Sequence, residues 1–99
     1  MNKIAVLVTT NFSGVYFGYL DVEGDEETWV PGPSLWLQQA RAIVYWAPEV
    51  HGYLGIAANG VSESCRVSPA VPRYWVQGVT SVALVTPEAA AKIEKEPWK

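Results

Sequence analysis

Three consecutive stretches decide the fold: Lys3-Ile4-Ala5-Val6-Leu7-Val8-Thr9, then Asn11-Phe12-Ser13-Gly14, then Val15-Tyr16-Phe17-Gly18-Tyr19-Leu20. The first is a continuous apolar, β-branched run of strand length, which reads as a strand buried on both faces. The second supplies an asparagine and a glycine, residues that tolerate turn backbone. The third returns in strand-forming residues, so the three together predict a hairpin that opens a sheet. Gly18 inside the second strand marks a bulge or the close approach of another group across the sheet, with packing as the simpler reason.

Beyond the hairpin, Asp21-Val22-Glu23-Gly24-Asp25-Glu26-Glu27 places five acids around a glycine, the composition of an exposed hairpin tip. Thr28-Trp29-Val30 returns as a short strand ended by Pro31-Gly32-Pro33. Ser34 can cap Leu35 to Arg41 as one or two helical turns, with Ala42 to Trp46 richer in β-formers and helix throughout as the alternative. Pro48 and Glu49 read as a helix start and Asn59-Gly60 as its end, although Gly52 and Gly55 inside it cost about 1 kcal/mol each against alanine, so the helix is either short or held by tertiary packing. Ser64 to Ser68 alternates like an edge strand, and Trp75-Val76 with Val79 to Val85 supplies the last strand material. Thr86-Pro87-Glu88 is the clearest local signal: an N-cap, a proline at the first helical position and an acid behind it, followed by strong helix formers up to Pro97. The count is about five strands and two or three short helices, the last one C-terminal. That is an α+β class on an antiparallel, bent sheet or small barrel, with residues 1–99 as a single domain.

Composition narrows function more than it names one. The chain has 99 residues, 49% of them hydrophobic, and a formal net charge of −3. Its lysines are Lys3, Lys92, Lys95 and Lys99, so between Ile4 and Ala91 only Arg41, Arg66 and Arg73 oppose Asp21, Glu23, Asp25, Glu26, Glu27, Glu49, Glu63 and Glu88. So acidic a body is a poor binder of nucleic acid, whose affinity comes from phosphate neutralisation, or of an anionic membrane. The opening apolar run is too short for a secretory signal or a membrane span, which leads us to expect a soluble cytosolic protein. A lone cysteine permits no internal disulfide and no four-cysteine zinc site.

Four constellations remain. The acids Asp21, Glu23, Asp25, Glu26 and Glu27 could imitate phosphate spacing and dock on a basic groove, against the plainer reading of a solvated turn. They do not follow a calcium-loop pattern, and no metal is expected. Arg41, Tyr45, Trp46 and His51, joined by Arg66, Arg73 and Tyr74, could hold a nucleotide through aromatic stacking and arginine forks. The simpler alternative keeps Tyr45 and Trp46 in the core or at a subunit interface and pairs the arginines with acids. His51 and Cys65 are the single histidine and thiol, and no nucleophile elbow, phosphate loop or dinucleotide fingerprint accompanies them, so neither an enzyme nor a cofactor is expected. Cys65 reads as a small buried hydrophobe. Finally, five tryptophans exceed what one small core buries, and Trp36 and Trp75, near prolines, are chosen as an exposed patch, with Trp98 expected to fold back on the core.

Taken in order, Ser13 to Leu20, Ala40 to Trp46, Leu54 to Gly60, Cys65-Arg66-Val67 and the tail from Thr86 through Lys99 resemble a small uncharacterised domain encoded in tailed-bacteriophage genomes. Where members tend to carry a basic or hydroxylated residue after the aromatic pair, this chain has Ala47-Pro48-Glu49, which weighs against a phosphate role there. The resemblance implies a phage accessory protein in the host bacterial cytoplasm. By analogy it implies an inhibitor of an antiviral defence, such as one that plugs a basic CRISPR effector. The expected partner is then a host defence protein with a basic surface, met through the acidic tip, Trp36 and Trp75. The alternative is a sponge for a nucleotide signal, closed by a homo-oligomer, and a third reading is a minor virion or morphogenesis component.

Overall fold

The computed structural model describes residues 2–11, 14–22 and 31–98. The expected hairpin is formed by β1 (Asn2–Thr10) and β2 (Val15–Val22), antiparallel and in register from Asn2 opposite Val22 to Thr9 opposite Val15. Its turn closes where the Thr10 N–H donates to the Gly14 carbonyl at 3.0 Å and the Gly14 N–H donates to Thr10 Oγ1 at 3.1 Å. Phe12 and Ser13, the acids Glu23, Asp25, Glu26 and Glu27, and the short strand expected at 28–30 lie outside the described residues.

The helical turns expected over Leu35 to Arg41 are not there; Ser34–Tyr45 is a single strand, β3. The reason is a bulge. Phe17 stands opposite Arg41 and Tyr19 opposite Gln38, so β3 carries one residue more than β2 across Gly18, and Gln39 takes a left-handed φ of 51°. Leu35, Leu37 and Ala40 therefore share one buried cluster while Arg41 and Ile43 are buried elsewhere, a 35, 37, 40, 41, 43 spacing that imitates a helix. Gly18 is required at this point, because a Cβ on it would lie 2.9 Å from Leu37 Cβ and 3.1 Å from the Gln38 carbonyl.

Three further strands complete a six-stranded antiparallel sheet: β4 (Arg66–Val67), β5 (Val71–Gln77) and β6 (Val79–Leu84). The order is β4-β3-β2-β1-β6, with β5 also paired to β3. Only Gly78 separates β5 from β6, yet β5 pairs with β3 and β6 with β1, so one chain path bridges the two ends of a sheet that curls without closing. β5 begins at Val71, earlier than its Trp75 signal, and carries Pro72 on an edge strand, where a missing N–H is tolerated.

The curl makes one face of the sheet pack on itself. Ile4, Val6, Val8, Leu20, Leu37 and Val76 fill that interior. The other face, with Leu7, Phe17, Ile43 and Val67, is covered by two helices that contribute Ile56, Ala57, Ala89 and Ile93. The first helix, read from Pro48 to Asn59 as either short or held by packing, takes the short form. A 3₁₀ turn at Pro48–Val50 ends in His51 at φ 62°, and α1 runs Gly52–Asn59. The break has a steric cause, since a Cβ on Gly55 would overlap the Val50 carbonyl oxygen that folds onto the helix. The second, α2 (Pro87–Lys95), starts as its sequence predicts, with Thr86 Oγ1 accepting from the Ala89 N–H at 3.1 Å. The Thr86 hydroxyl also donates to the Ala58 carbonyl at 2.9 Å, which joins the two helices. Trp98 does not fold back: Glu96 turns extended at φ −64° and ψ 123°, Ile93 is the last buried residue, and the indole is left 66% exposed.

Two substitutions separate a steric constraint from a capping one. Gly55→Ala is expected to lower unfolding free energy by about 2 kcal/mol or more, because the Val50 turn must move, whereas Thr86→Ala costs about 1 kcal/mol through a lost cap. Urea denaturation followed by far-ultraviolet circular dichroism measures both.

Candidate functional site

Strand alternation builds one exposed face. Leu35 and Leu37 point into the curl, which sends Trp36 and Gln38 to the opposite side of β3. On β5, Trp75 stands directly opposite Trp36 and Arg73 opposite Gln38. The indole centroids are 5.1 Å apart with a 52° tilt, and the rings are 47% and 41% exposed. The Arg73 guanidinium carbon lies 4.3 Å from the Trp36 centroid, within cation–π range. Gln38 Nε2 in turn donates to Asp21 Oδ2 at 2.7 Å, so β2, β3 and β5 all contribute to one band. Beside it lies a hollow of about 330 Å³ lined by Asp21, Trp36, Gln38 and Arg73 among others. Asp21 is the described member of the acidic segment, and that segment continues from the same strand end.

The seven residues considered for a nucleotide are not gathered in one place. Arg41 is only 6% exposed and is committed to backbone: Nε donates to the Ser68 carbonyl at 2.7 Å, and one Nη donates to the Ile93 carbonyl at 2.5 Å and to that of Glu94 at 3.3 Å. Burial lowers its pKa, and Glu96 nearby offsets part of that. Tyr45 is exposed and stands opposite Arg66, Trp46 packs against the helix-covered core, and His51 occupies the left-handed link before α1. Arg73 belongs to the tryptophan band, and Tyr74 leans on Tyr16 with ring centroids 5.1 Å apart. Of the seven, Arg41 and Tyr74 line one pocket together.

Cys65 is a free thiol at 0% exposure in the core, 3.6 Å from Ser62 Oγ, while His51 is exposed. Among the described residues, no three His, Cys, Asp or Glu side chains are placed to hold a metal ion, and no helix is long and apolar enough to cross a membrane.

Sequence reasoning passed over Gln38, Tyr16 and the pair of Tyr19 with Glu94. Tyr19 donates to Glu94 across a groove between the hairpin and α2, and their 75-position separation leaves no local signal. Desolvation, aided by the carboxylate, pushes the Tyr19 pKa from 10.0 up to about 12. The fold thus favours the neutral phenol, so this contribution to stability is complete below pH 10 and is lost as pH rises through about 12.

Tyrosinate ultraviolet absorbance is expected to show a phenol titrating near pH 12 that disappears in Tyr19→Phe, while the raised Tyr16 remains. Arg41→Met is expected to cost about 3 kcal/mol by orphaning buried carbonyls, with Arg41→Lys failing to restore stability because one ammonium cannot span the same acceptors. Chemical denaturation of the three proteins checks the order.

No curated protein matches the chain, and no solved structure does. A family model matches residues 3–93, and the chain accordingly belongs to the domain of unknown function DUF6948.

Proposed function

We propose that the chain acts by binding another protein through the Trp36, Trp75 and Arg73 face. The observation that carries this reading is the pair of half-exposed indoles held in cross-strand register, with a guanidinium against one of them. Tryptophan and arginine dominate the energetics of protein interfaces, and indoles already fixed on paired strands lose little freedom on binding. The acidic composition of the neighbouring segment from Asp21 to Glu27 supports a partner with a basic surface, attracted by steering.

The biological setting of the proposal follows the resemblance to a domain of tailed-bacteriophage genomes. In that setting the partner is a component of a bacterial antiviral defence, met in the host cytoplasm, and binding inhibits it. A nucleotide sponge is the weaker reading, since Arg41 spends its donors on carbonyls and offers no accessible fork for phosphate.

Expression of the chain in a panel of bacteria, each carrying one defence system, tests the proposal by phage plating. Restored plating on one host, reduced at least about ten-fold by Trp36→Ser with Trp75→Ser, supports it; loss of two interface anchors is worth about 2 kcal/mol or more. Restoration on no host, or restoration indifferent to the double substitution, overturns it.

A further inference from the structure

Next to the self-packed interior lies a pocket of about 260 Å³, distinct from the tryptophan band. Tyr16, Ala40, Ala42, Val71 and Tyr74 line it, with Pro69, Ser68 and Arg41 behind. Its space has a clear origin. The slip at Gln39 changes which β3 residues share the face of Leu37, so Ala40 joins that interior, and Ala42, opposite Tyr16, borders the same pocket. Two positions that larger side chains would fill carry only a methyl group each.

The polar groups behind it are already spoken for. Ser68 Oγ accepts from the Ala42 N–H at 2.7 Å and donates to the Pro69 carbonyl at 3.0 Å. Arg41 directs its Nε and one Nη to the Ser68 and Ile93 carbonyls. What faces the space is almost entirely aliphatic and aromatic carbon, including the rings of Tyr16 and Tyr74, which are tilted by 49°. The Tyr74 hydroxyl beside it, with burial, raises the Tyr16 pKa above 10.0, which favours the neutral form of that phenol. A cation would lose its hydration here with no carboxylate in the lining, and an anion would have to compete with the Ser68 and Ile93 carbonyls for Arg41. An apolar cavity of about 150 Å³ is enough to hold benzene, so this pocket has room for a larger ring system.

We propose that this pocket binds a small neutral aromatic molecule of one or two fused rings, held by apolar and ring contacts. The rings pack against Ala40, Ala42, Val71 and Pro69, and the tilted tyrosines supply edge and face contacts.

The test uses 5-fluoroindole as the probe and fluorine NMR of the whole protein. Saturable binding with a dissociation constant of about 1 mM or tighter is expected. Val71→Trp, which fills the space from its rim, and Ala42→Leu, which fills it from its floor, are each expected to weaken binding at least ten-fold, with circular dichroism confirming that the variants fold. Trp36→Ser with Trp75→Ser is expected to leave binding unchanged, which separates this site from the interface proposed above. Absence of saturable binding, equal binding in both filled variants, or loss of binding in the tryptophan variant overturns the proposal.

Discussion

The attachment of Arg41 to three carbonyl oxygens governs how the two layers of this protein fit together. A guanidinium loses much of its hydration when it is buried, and the loss is several kcal/mol unless new acceptors replace water. Here the acceptors come from the segment after β4 and from the last turn of α2. Helix C-termini expose carbonyls and carry partial negative charge, so a cation there meets both a hydrogen-bonding need and a favourable field. Arg41 is the one buried charged residue among those described, and it fixes the direction in which α2 crosses the sheet.

That attachment depends on the bulge opposite Gly18. Strict alternation from Leu35 and Leu37 would put Arg41 inside the curl, among Val6, Val8 and Leu20, where no carbonyl ends are free to receive it. The additional residue at Gln39 shifts the pattern by one, turning Ala40 inward and Arg41 toward α2. It also leaves Trp36 and Gln38 on the outer face, at the half of β3 that no helix covers. One irregular residue thus sorts the strand into a tethered half and a half open to solvent.

Legibility in the sequence followed the range of the interactions. The hairpin and α2 were readable because their determinants lie within a few residues: Gly14 for the turn, Thr86 and Pro87 for the cap. β3 was not, because a bulge defined against β2 scrambles its own periodicity into a helix-like one. Gly52 and Gly55 signalled a weak helix, but the split at left-handed His51 depends on the Val50 carbonyl folding onto Gly55, a contact that no residue type announces. Trp36 and Trp75 were picked for nearby prolines, whereas Trp36 is exposed by alternation in β3 and Trp75, opposite it, lies on an edge strand exposed along most of its length. Arg41 was singled out as a phosphate fork, and its real acceptor at Ile93 lies 52 positions away. The phage resemblance reached the right level of description in one respect, since the chain belongs to a family of unknown function.

The single-residue joint at Gly78 has a consequence for how the molecule comes into being. β1 leaves the ribosome well before its partner β6, with Thr9 and Ser81 bonded across 72 positions. Until then the apolar β1 edge is unpaired, and so is the β3 edge that awaits β5. Because Gly78 strings both closing strands together, the two edges are sealed nearly in one event once β5 and β6 have been made. Such long-range closure makes for slow folding, on the scale of milliseconds to seconds for sheet-dominated domains, and leaves the nascent chain prone to pairing with its neighbours in the interval.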